Sequence, residues 1–209
     1  MRIIGLTGNI GSGKSTAANY FQEMGANIIS ADELARDVVF LNQPAYKEIV
    51  KLFGKRILQT DLSIDRKKLA DIVFNDEELL KQLNKITHFE IRKLREKLTK
   101  TLYASTPDAT VIYDIPLLFE TGMQDSFQKV ILIAVNHDIQ IDRLIQFRKL
   151  DIKDIQARIQ HQMPQKEKIS LADIVIKNNT SLADLKSSIT SVFKEILLLP
   201  SLELKSIKL

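Results

Sequence analysis

Gly8-Asn9-Ile10-Gly11-Ser12-Gly13-Lys14-Ser15-Thr16 is the stretch on which the reading of this chain turns. It fits G-x-x-x-x-G-K-[ST]. The apolar residues Ile3, Ile4 and Leu6 stand just before it, and Ser15–Met24 follows with helical composition. A phosphate group needs several backbone N–H groups converging on one point, and a glycine-rich turn bends that tightly without Cβ clashes. Lys14 can then reach the outer phosphates, and the Ser15 hydroxyl can hold a Mg²⁺ ion. The helix that begins here adds the positive end of its dipole. A strand, a glycine loop and a helix in this register predict a nucleotide phosphate site.

Five nearly continuous apolar segments read as strands: Ile3–Thr7, Asn27–Ser30, Thr110–Ile115, Val130–Val135 and Asp173–Ile176. Continuous rather than alternating apolar character predicts a parallel sheet covered on both faces. Helical segments separate the strands. Ser15–Met24 stops at Gly25, and Pro44–Phe53 opens on a proline allowed in a first turn and stops at Gly54. The expected fold class is α/β with right-handed crossovers, in one domain over 1–209. Ser181-Leu182-Ala183-Asp184 has the form of a capping box, and the apolar residues after it predict a helix packed on the sheet. Ser201–Leu209 is left unassigned.

Two longer stretches interrupt the strand–helix rhythm. Residues 61–105 are helical in pattern, with Leu79, Leu80, Leu83, Ile86, Ile91, Leu94 and Leu98 on one face. They predict a helical insertion, read as a subdomain or as a surface helix pair. Residues 138–167 carry Arg143, Arg148, Lys149, Lys153, Arg158 and Lys166. A basic helical hairpin there is either a solvated charged face or a lid that folds over a triphosphate and shuts out water.

Composition excludes several classes. The chain has 209 residues, 44% hydrophobic, and no cysteine, so a disulfide framework, a thiolate zinc site and a cysteine nucleophile are out. No apolar run approaches a membrane span and no signal-peptide pattern opens the chain, so a cytoplasmic protein without a membrane partner is expected. A net charge of +4 is modest. With the basic residues spread over two stretches and no tryptophan, no nucleic-acid partner is expected.

A phosphoryl transfer to a hydroxyl needs a group that orients the acceptor and takes its proton. Asp32, just past the second strand, stands at the carboxyl edge where doubly wound sheets place ligands. It reads equally as the N-cap of a helix over Glu33–Val39. Arg36, one turn on, either faces the same ligand or pairs with Asp32. Asp114, at the end of the third strand, either holds a Mg²⁺-bound water or hydrogen-bonds neighbouring loops. None of His88, His137 and His161 has metal-ligand spacing.

The chain resembles the dephospho-CoA kinase family. Gly5-Leu6-Thr7-Gly8 running into the glycine loop carries the likeness, together with Ser30-Ala31-Asp32-x-x-Ala35-Arg36 and Asp114-Ile115-Pro116-Leu117-Leu118-Phe119-Glu120. Gln140-x-x-Arg143 and Ala172-Asp173-x-Val175-Ile176-x-Asn178 extend it, in order, from Ile3 to Asn178. The resemblance implies a P-loop kinase fold, a five-stranded parallel sheet flanked by helices, with a helical CoA-binding insertion and a lid. It implies transfer of the γ-phosphoryl group of ATP to the ribose 3′-hydroxyl of dephospho-CoA, with Mg²⁺. By the same likeness Asp32 is the catalytic base, and Lys14 and Arg143 act on the phosphates. Gly8–Thr16, Arg143, Arg148 and Asn178 bind ATP, with Asn178 near the adenine. Arg36, His88, Pro116, Leu117 and Leu118 line the acceptor site, and Ser15 and Asp114 hold the metal. The family usually has Asp where Ser30 stands, Pro where Phe89 stands and a second lid Arg where Phe147 stands.

Two rival readings stand beside this one. Another small-molecule or nucleoside monophosphate kinase shares the loop and lid. A GTP-binding switch needs Asn-Lys-x-Asp and Asp-x-x-Gly, which Asn84-Lys85-Ile86-Thr87 and Asp114-Ile115-Pro116-Leu117 do not supply. A monomer or weak homo-oligomer is expected.

Overall fold

The computed structural model describes residues 1–207; Lys208 and Leu209, the end of the tail left unassigned above, lie outside it. Five strands form one parallel sheet: β1 (Arg2–Thr7), β2 (Asn27–Ser30), β3 (Thr110–Asp114), β4 (Lys129–Ala134) and β5 (Ile174–Lys177). Their order is β2-β3-β1-β4-β5. All neighbours run parallel, with Ser30 opposite Asp114 and Asp114 opposite Leu6. The expected strands are present, with ends shifted by a residue or so.

The order reverses direction at β1, so the loop leaving β1 opens at a topological switch point, where open α/β sheets bind ligands. The register explains why residues distant in sequence meet there. Leu6, Ser30 and Asp114 sit at one level across three strands, and the segments that follow emerge from the same edge.

Nine α-helices are described: α1 (Lys14–Glu23), α2 (Ala31–Asp37), α3 (Pro44–Phe53), α4 (Arg66–Phe74), α5 (Glu77–Ser105), α6 (His137–Arg148), α7 (Ile152–Gln160), α8 (Gln165–Leu171) and α9 (Leu182–Leu197). The chain divides into two compact units, Met1–Ser30 with Leu102 onward, and Ala31–Thr101. The sequence reading placed one domain with an insertion at 61–105; the second unit begins earlier, at Ala31, for a packing reason. Val38, Ala45, Tyr46, Ile49 and Phe53 of the α2–α3 region share one apolar cluster with Val73, Leu79, Leu83, Ile86 and Leu94 of α4 and α5. Neither half of that cluster could bury its apolar face alone. The start of the 61–105 stretch is a turn rather than a helix. There Leu58 bridges Ile64, and the Asp65 carboxylate caps α4 by accepting from the Lys67 and Lys68 N–H groups.

In the sheet-bearing unit, the core lies between the sheet and helices α1 and α9. Ile4, Leu6, Ile112, Ile131 and Ile133 from the strands meet Ala17, Phe21, Ile189 and Phe193. Phe21 is fully buried, with its ring centroid 6.1 Å from that of Phe193. Truncating it to alanine is expected to cost about 3–5 kcal/mol. The capping box expected at the start of α9 is present: the Ser181 hydroxyl accepts from the Asp184 N–H while the Asp184 carboxylate accepts at the Ser181 N–H. The tail returns to the first strand, where Met1 and Leu202 exchange hydrogen bonds.

Candidate active site

The loop Gly8–Gly13 leaves β1 and feeds directly into α1. Gly13 has φ 89° and ψ 19°, a left-handed conformation, and no side chain caps the helix behind it. The first-turn N–H groups of Lys14, Ser15 and Thr16 are therefore left for an anionic ligand rather than for the protein. A Cβ at Gly13 would stand 2.3 Å from the Asn178 side-chain nitrogen, so no larger residue fits. Gly8 is required by close approach instead: its Cβ would lie 2.5 Å from the Ser12 hydroxyl and 2.8 Å from the Ile133 carbonyl.

The loop is held from behind by amides. Asn178, past the end of β5 and almost fully buried, donates from Nδ2 to the Ser12 carbonyl at 2.8 Å. The buried Gln140 of α6 donates to the Ile10 carbonyl at 2.6 Å. Gln162, between α7 and α8, accepts from the Ile10 N–H at 2.9 Å. A flexible glycine loop is thereby fixed in one shape, which is what electrostatic recognition of a phosphate requires.

Two charged groups meet in front of the loop. The Lys14 ammonium donates to the Asp114 carboxylate in an ion pair whose side chains are 12% and 11% exposed. The Asp114 carboxylate thus stands bonded at the end of the phosphate loop. Its partner is the loop lysine itself. Ser15 is exposed at the start of α1. Among the described residues no group of three or more His, Asp or Glu side chains could hold a metal ion unaided.

The motif after β3 divides into a surface part and a buried part. Pro116 is half-buried, and its carbonyl accepts from the Thr7 hydroxyl at 3.2 Å. Leu117 is 42% exposed, whereas Leu118 is fully buried. A Cβ at Gly5 would stand 2.7 Å from the Leu118 side chain, so Leu118 fills the room that Gly5 leaves. Leu118, expected at the acceptor site, stands here in the core against β1 rather than at the surface. Glu120, at the end of the motif, pairs at 2.8 Å with Lys168 of α8, a lysine with no exposure at all, and accepts from the Met163 N–H at 2.9 Å. Burial pushes the Glu120 carboxyl up, but hydrogen bonds from Lys168 and Met163 outweigh it and hold the carboxyl below its ordinary value.

On α6, Arg143 is half-buried, and its Nη1 is buried without a hydrogen-bond partner in the protein. Arg148, the last residue of α6, is exposed.

In the helical unit, Asp32 and Arg36 are both exposed on α2. The N-cap reading of Asp32 is corrected: α2 starts at Ala31, directly on the end of β2, so Asp32 stands inside the first turn. A carboxylate there is favoured by the helix dipole and remains free to act on a ligand. No salt bridge joins Asp32 to Arg36 among the described residues. His88 is exposed on α5, which runs unbroken through His88-Phe89, with the Lys93 ammonium 4.3 Å from the centre of the Phe89 ring.

Sequence reasoning gave no role to Gln162, Gln165 or Lys168. Each works through a tertiary contact to a distant backbone or carboxylate, and no local motif announces one. Gln140 and Glu120 were visible only as members of motifs.

A glycine loop at the switch point of a 2-3-1-4-5 parallel sheet, entering an uncapped helix with its lysine aimed forward, defines a P-loop kinase. Residues 2–184 match the family described as dephospho-CoA kinase (CoaE), and the chain belongs to that family. It is 42% identical over 196 residues to a dephospho-CoA kinase of Aquifex aeolicus, covering 94% of this chain and 98% of that protein. It is 42% identical over 193 residues to one of Carboxydothermus hydrogenoformans, covering 92% of this chain and 93% of that one. Among solved structures it is similar to dephospho-CoA kinase from Campylobacter jejuni, with a TM-score of 0.69 and 32% identity, over 94% of this chain and 98% of that one. TT1252 from Thermus thermophilus superposes with a TM-score of 0.81 and 34% identity, over 93% of this chain and 97% of that one.

Proposed function

We propose that this chain transfers the γ-phosphoryl group of ATP to the ribose 3′-hydroxyl of dephospho-CoA, giving ADP and coenzyme A. The observation that carries this reading is the likeness to curated dephospho-CoA kinases over 94% of the chain, with the phosphate loop intact. Gly8–Thr16 wraps the phosphates of ATP. Lys14 leaves its pairing with Asp114 in part to neutralise the transferring group.

The Ser15 hydroxyl and the Asp114 carboxylate are hard oxygen donors. Without a cage of further carboxylates they suit Mg²⁺, which is usually held by one or two protein oxygens plus the substrate phosphates. When bound, the ion spreads the charge that develops across the outer phosphates.

Asp32 orients the 3′-hydroxyl and takes its proton as the oxygen attacks the γ-phosphorus and ADP leaves. Catalysis then comes from positioning and charge stabilisation. The unpartnered Arg143 nitrogen supplies a cation for the ATP phosphates, with Arg148 as the second cation of the 138–167 lid. Asn178 serves ATP by shaping the loop as well as from beside the adenine. Arg36, His88, Pro116 and Leu117 serve the acceptor, and the helical unit binds its CoA portion. No helix among the described residues is long and apolar enough to cross a membrane, and a cytoplasmic monomer or weak homo-oligomer fits the reading.

Mixing the purified protein with ATP, Mg²⁺ and dephospho-CoA should yield ADP and coenzyme A by mass. A panel of AMP, CMP and shikimate should leave ATP unspent. Turnover of one of these acceptors in preference to dephospho-CoA would replace the proposal with the rival kinase reading.

A further inference from the structure

The backbone of Ile10 is gripped through both its polar groups by the roots of the basic hairpin. Its carbonyl accepts from Gln140 Nε2 at 2.6 Å, on α6, where the hairpin leaves the sheet. Its N–H donates to Gln162 Oε1 at 2.9 Å, where the hairpin returns after α7. The return root is itself fixed. Asn9 Nδ2 donates to the Met163 carbonyl at 3.4 Å, and the Met163 N–H donates to Glu120, which the buried Lys168 holds in place. Gln165 then fastens the start of α8 to the end of β4, donating to the Val135 carbonyl and accepting from its N–H, each at 3.0 Å.

Between the roots the hairpin buries Leu144 and Ile155 and otherwise faces outward. Asp142, Phe147, Arg148, Asp151 and Lys153 are exposed. A cavity of about 330 Å³ opens beside the roots, lined in part by Asn9, His137, Gln140 and Gln162. The two roots of the hairpin thus share one hydrogen-bonded residue of the phosphate loop, Ile10.

We propose that Gln162 is a positioning residue that couples the hairpin to the phosphate loop through the Ile10 N–H. Ile10 directly precedes Gly11, whose φ is 77°, and glycine backbone there rotates with little resistance. Asn178 and Gln140 hold the Ser12 and Ile10 carbonyls, and the bond to Gln162 is the tie that sets the Ile10 N–H at the start of the turn leading to the N–H groups that converge on the phosphates. Gln162 supplies that tie only while the return root is seated, so the loop is held by all three amides when the hairpin is in place. By linkage, a bound triphosphate also favours the seated hairpin.

The test compares Gln162→Leu, which keeps the size but loses the acceptor, with Gln162→Glu, which keeps an acceptor oxygen, and with Gln165→Leu as control. Gln165→Leu loosens the same segment without touching the loop. Amide hydrogen exchange of the protein alone reads the tie itself. Gln162→Leu should speed exchange at Ile10 at least tenfold, whereas Gln162→Glu and Gln165→Leu should leave it near wild type. The kinetic arm rests on the kinase reading above. With ATP and dephospho-CoA, Gln162→Leu should raise the KM for ATP about tenfold and leave the KM for dephospho-CoA within twofold.

Unchanged exchange at Ile10 in Gln162→Leu would overturn the proposal, as would equal losses in Gln165→Leu, which would mean general loosening of α8. Should Gln162→Leu fail to fold, Gln162→Asn, one methylene too short to reach, takes its place with the same expectations. Faster exchange in a protein that turns over no dephospho-CoA would sustain the tie and remove the kinase reading, so the two failures are distinguishable.

Discussion

Lys14 and Asp114 are bound to each other across the mouth of the phosphate loop, each side chain nearly buried. The pairing follows from the sheet. Asp114 ends β3 level with Leu6 of β1, so its carboxylate stands beside the turn that carries Lys14. A pair this sheltered is costly to break singly, because the survivor is left charged with little water, but it is less costly to replace as a whole.

Single substitutions should therefore destabilise the protein, with Asp114→Ala costing about 3 kcal/mol. The double variant Lys14→Met with Asp114→Leu should recover much of that loss. Turnover should behave differently: Lys14→Ala and the double variant should both lose roughly 10³-fold or more, since the cation facing the transferring phosphoryl is gone. Urea unfolding without nucleotide, read beside steady-state turnover, separates the two effects. A double variant no more stable than Asp114→Ala would show that the pair adds nothing as a pair.

Asp32 offers the opposite case. It is exposed and stands inside the first turn of α2 rather than at its cap, so little of the fold depends on it. Asp32→Ala and Asp32→Asn should change stability only slightly and leave ATP affinity intact. They should lower kcat by about 10²–10⁴-fold, the range of a lost general base. Near-normal turnover in Asp32→Asn would assign the proton to another group.

Asn178 donates to Ser12 from a buried position, and its amide fills the space where a Cβ at Gly13 would stand. Asn178→Ala would leave the Ser12 carbonyl without that donor, a loss of about 1–3 kcal/mol. Much of it should appear as roughly tenfold weaker nucleotide binding, because the bond acts on the loop. Gly13→Ala should be worse, since it adds both the clash and the left-handed strain. Titration with ADP by calorimetry reads both. If Asn178→Ala bound ADP as the wild type does, the loop would hold its shape without the amide.

What the sequence made legible was whatever is decided locally. The glycine loop, the Pro44–Phe53 helix and the Ser181–Asp184 box each depend on residues a turn apart, and each is present as read. The sheet was legible because strands covered on both faces are apolar without interruption. The cap reading of Asp32 stood level with the ligand reading because the helix boundary is set by how β2 runs straight into α2, and composition does not encode it. The compact unit that holds the 61–105 insertion starts at Ala31 because Val38, Ile49 and Phe53 belong to a cluster completed only by α4 and α5. Of the amides on Ile10, Gln140 showed only as a member of a motif and Gln162 was invisible for the same reason. A glutamine between a histidine and Met163-Pro164 reads as surface until the fold brings a loop against it. Leu118 went the other way. Membership in a recognisable motif marked it for a ligand, and packing against Gly5 put it in the core.

Lys168 and Glu120 give the clearest dependence on pH. Lys168 is fully buried, whereas the Glu120 side chain keeps 20% exposure. Removing the partners should therefore have unequal effects. Glu120→Leu strands an ammonium away from water and should cost about 3–5 kcal/mol. Lys168→Met leaves a carboxylate that still reaches solvent and still accepts from the Met163 N–H, so it should cost clearly less. The Glu120 carboxyl is held below its ordinary value in the folded protein, so the unfolded chain takes up the proton first as pH falls. The stability it contributes is present in full above the ordinary glutamate range, about pH 4.3. It is lost as pH drops through the lower, folded value. Wild type should lose stability over that acid window more steeply than Lys168→Met, in which the depressing partner is gone. Urea midpoints between about pH 3 and pH 6, the span that brackets an ordinary glutamate, give the comparison. Parallel curves for the two proteins would mean that Lys168 does not hold the carboxyl down, and a larger loss in Lys168→Met than in Glu120→Leu would reverse the assignment of which charge the fold shelters.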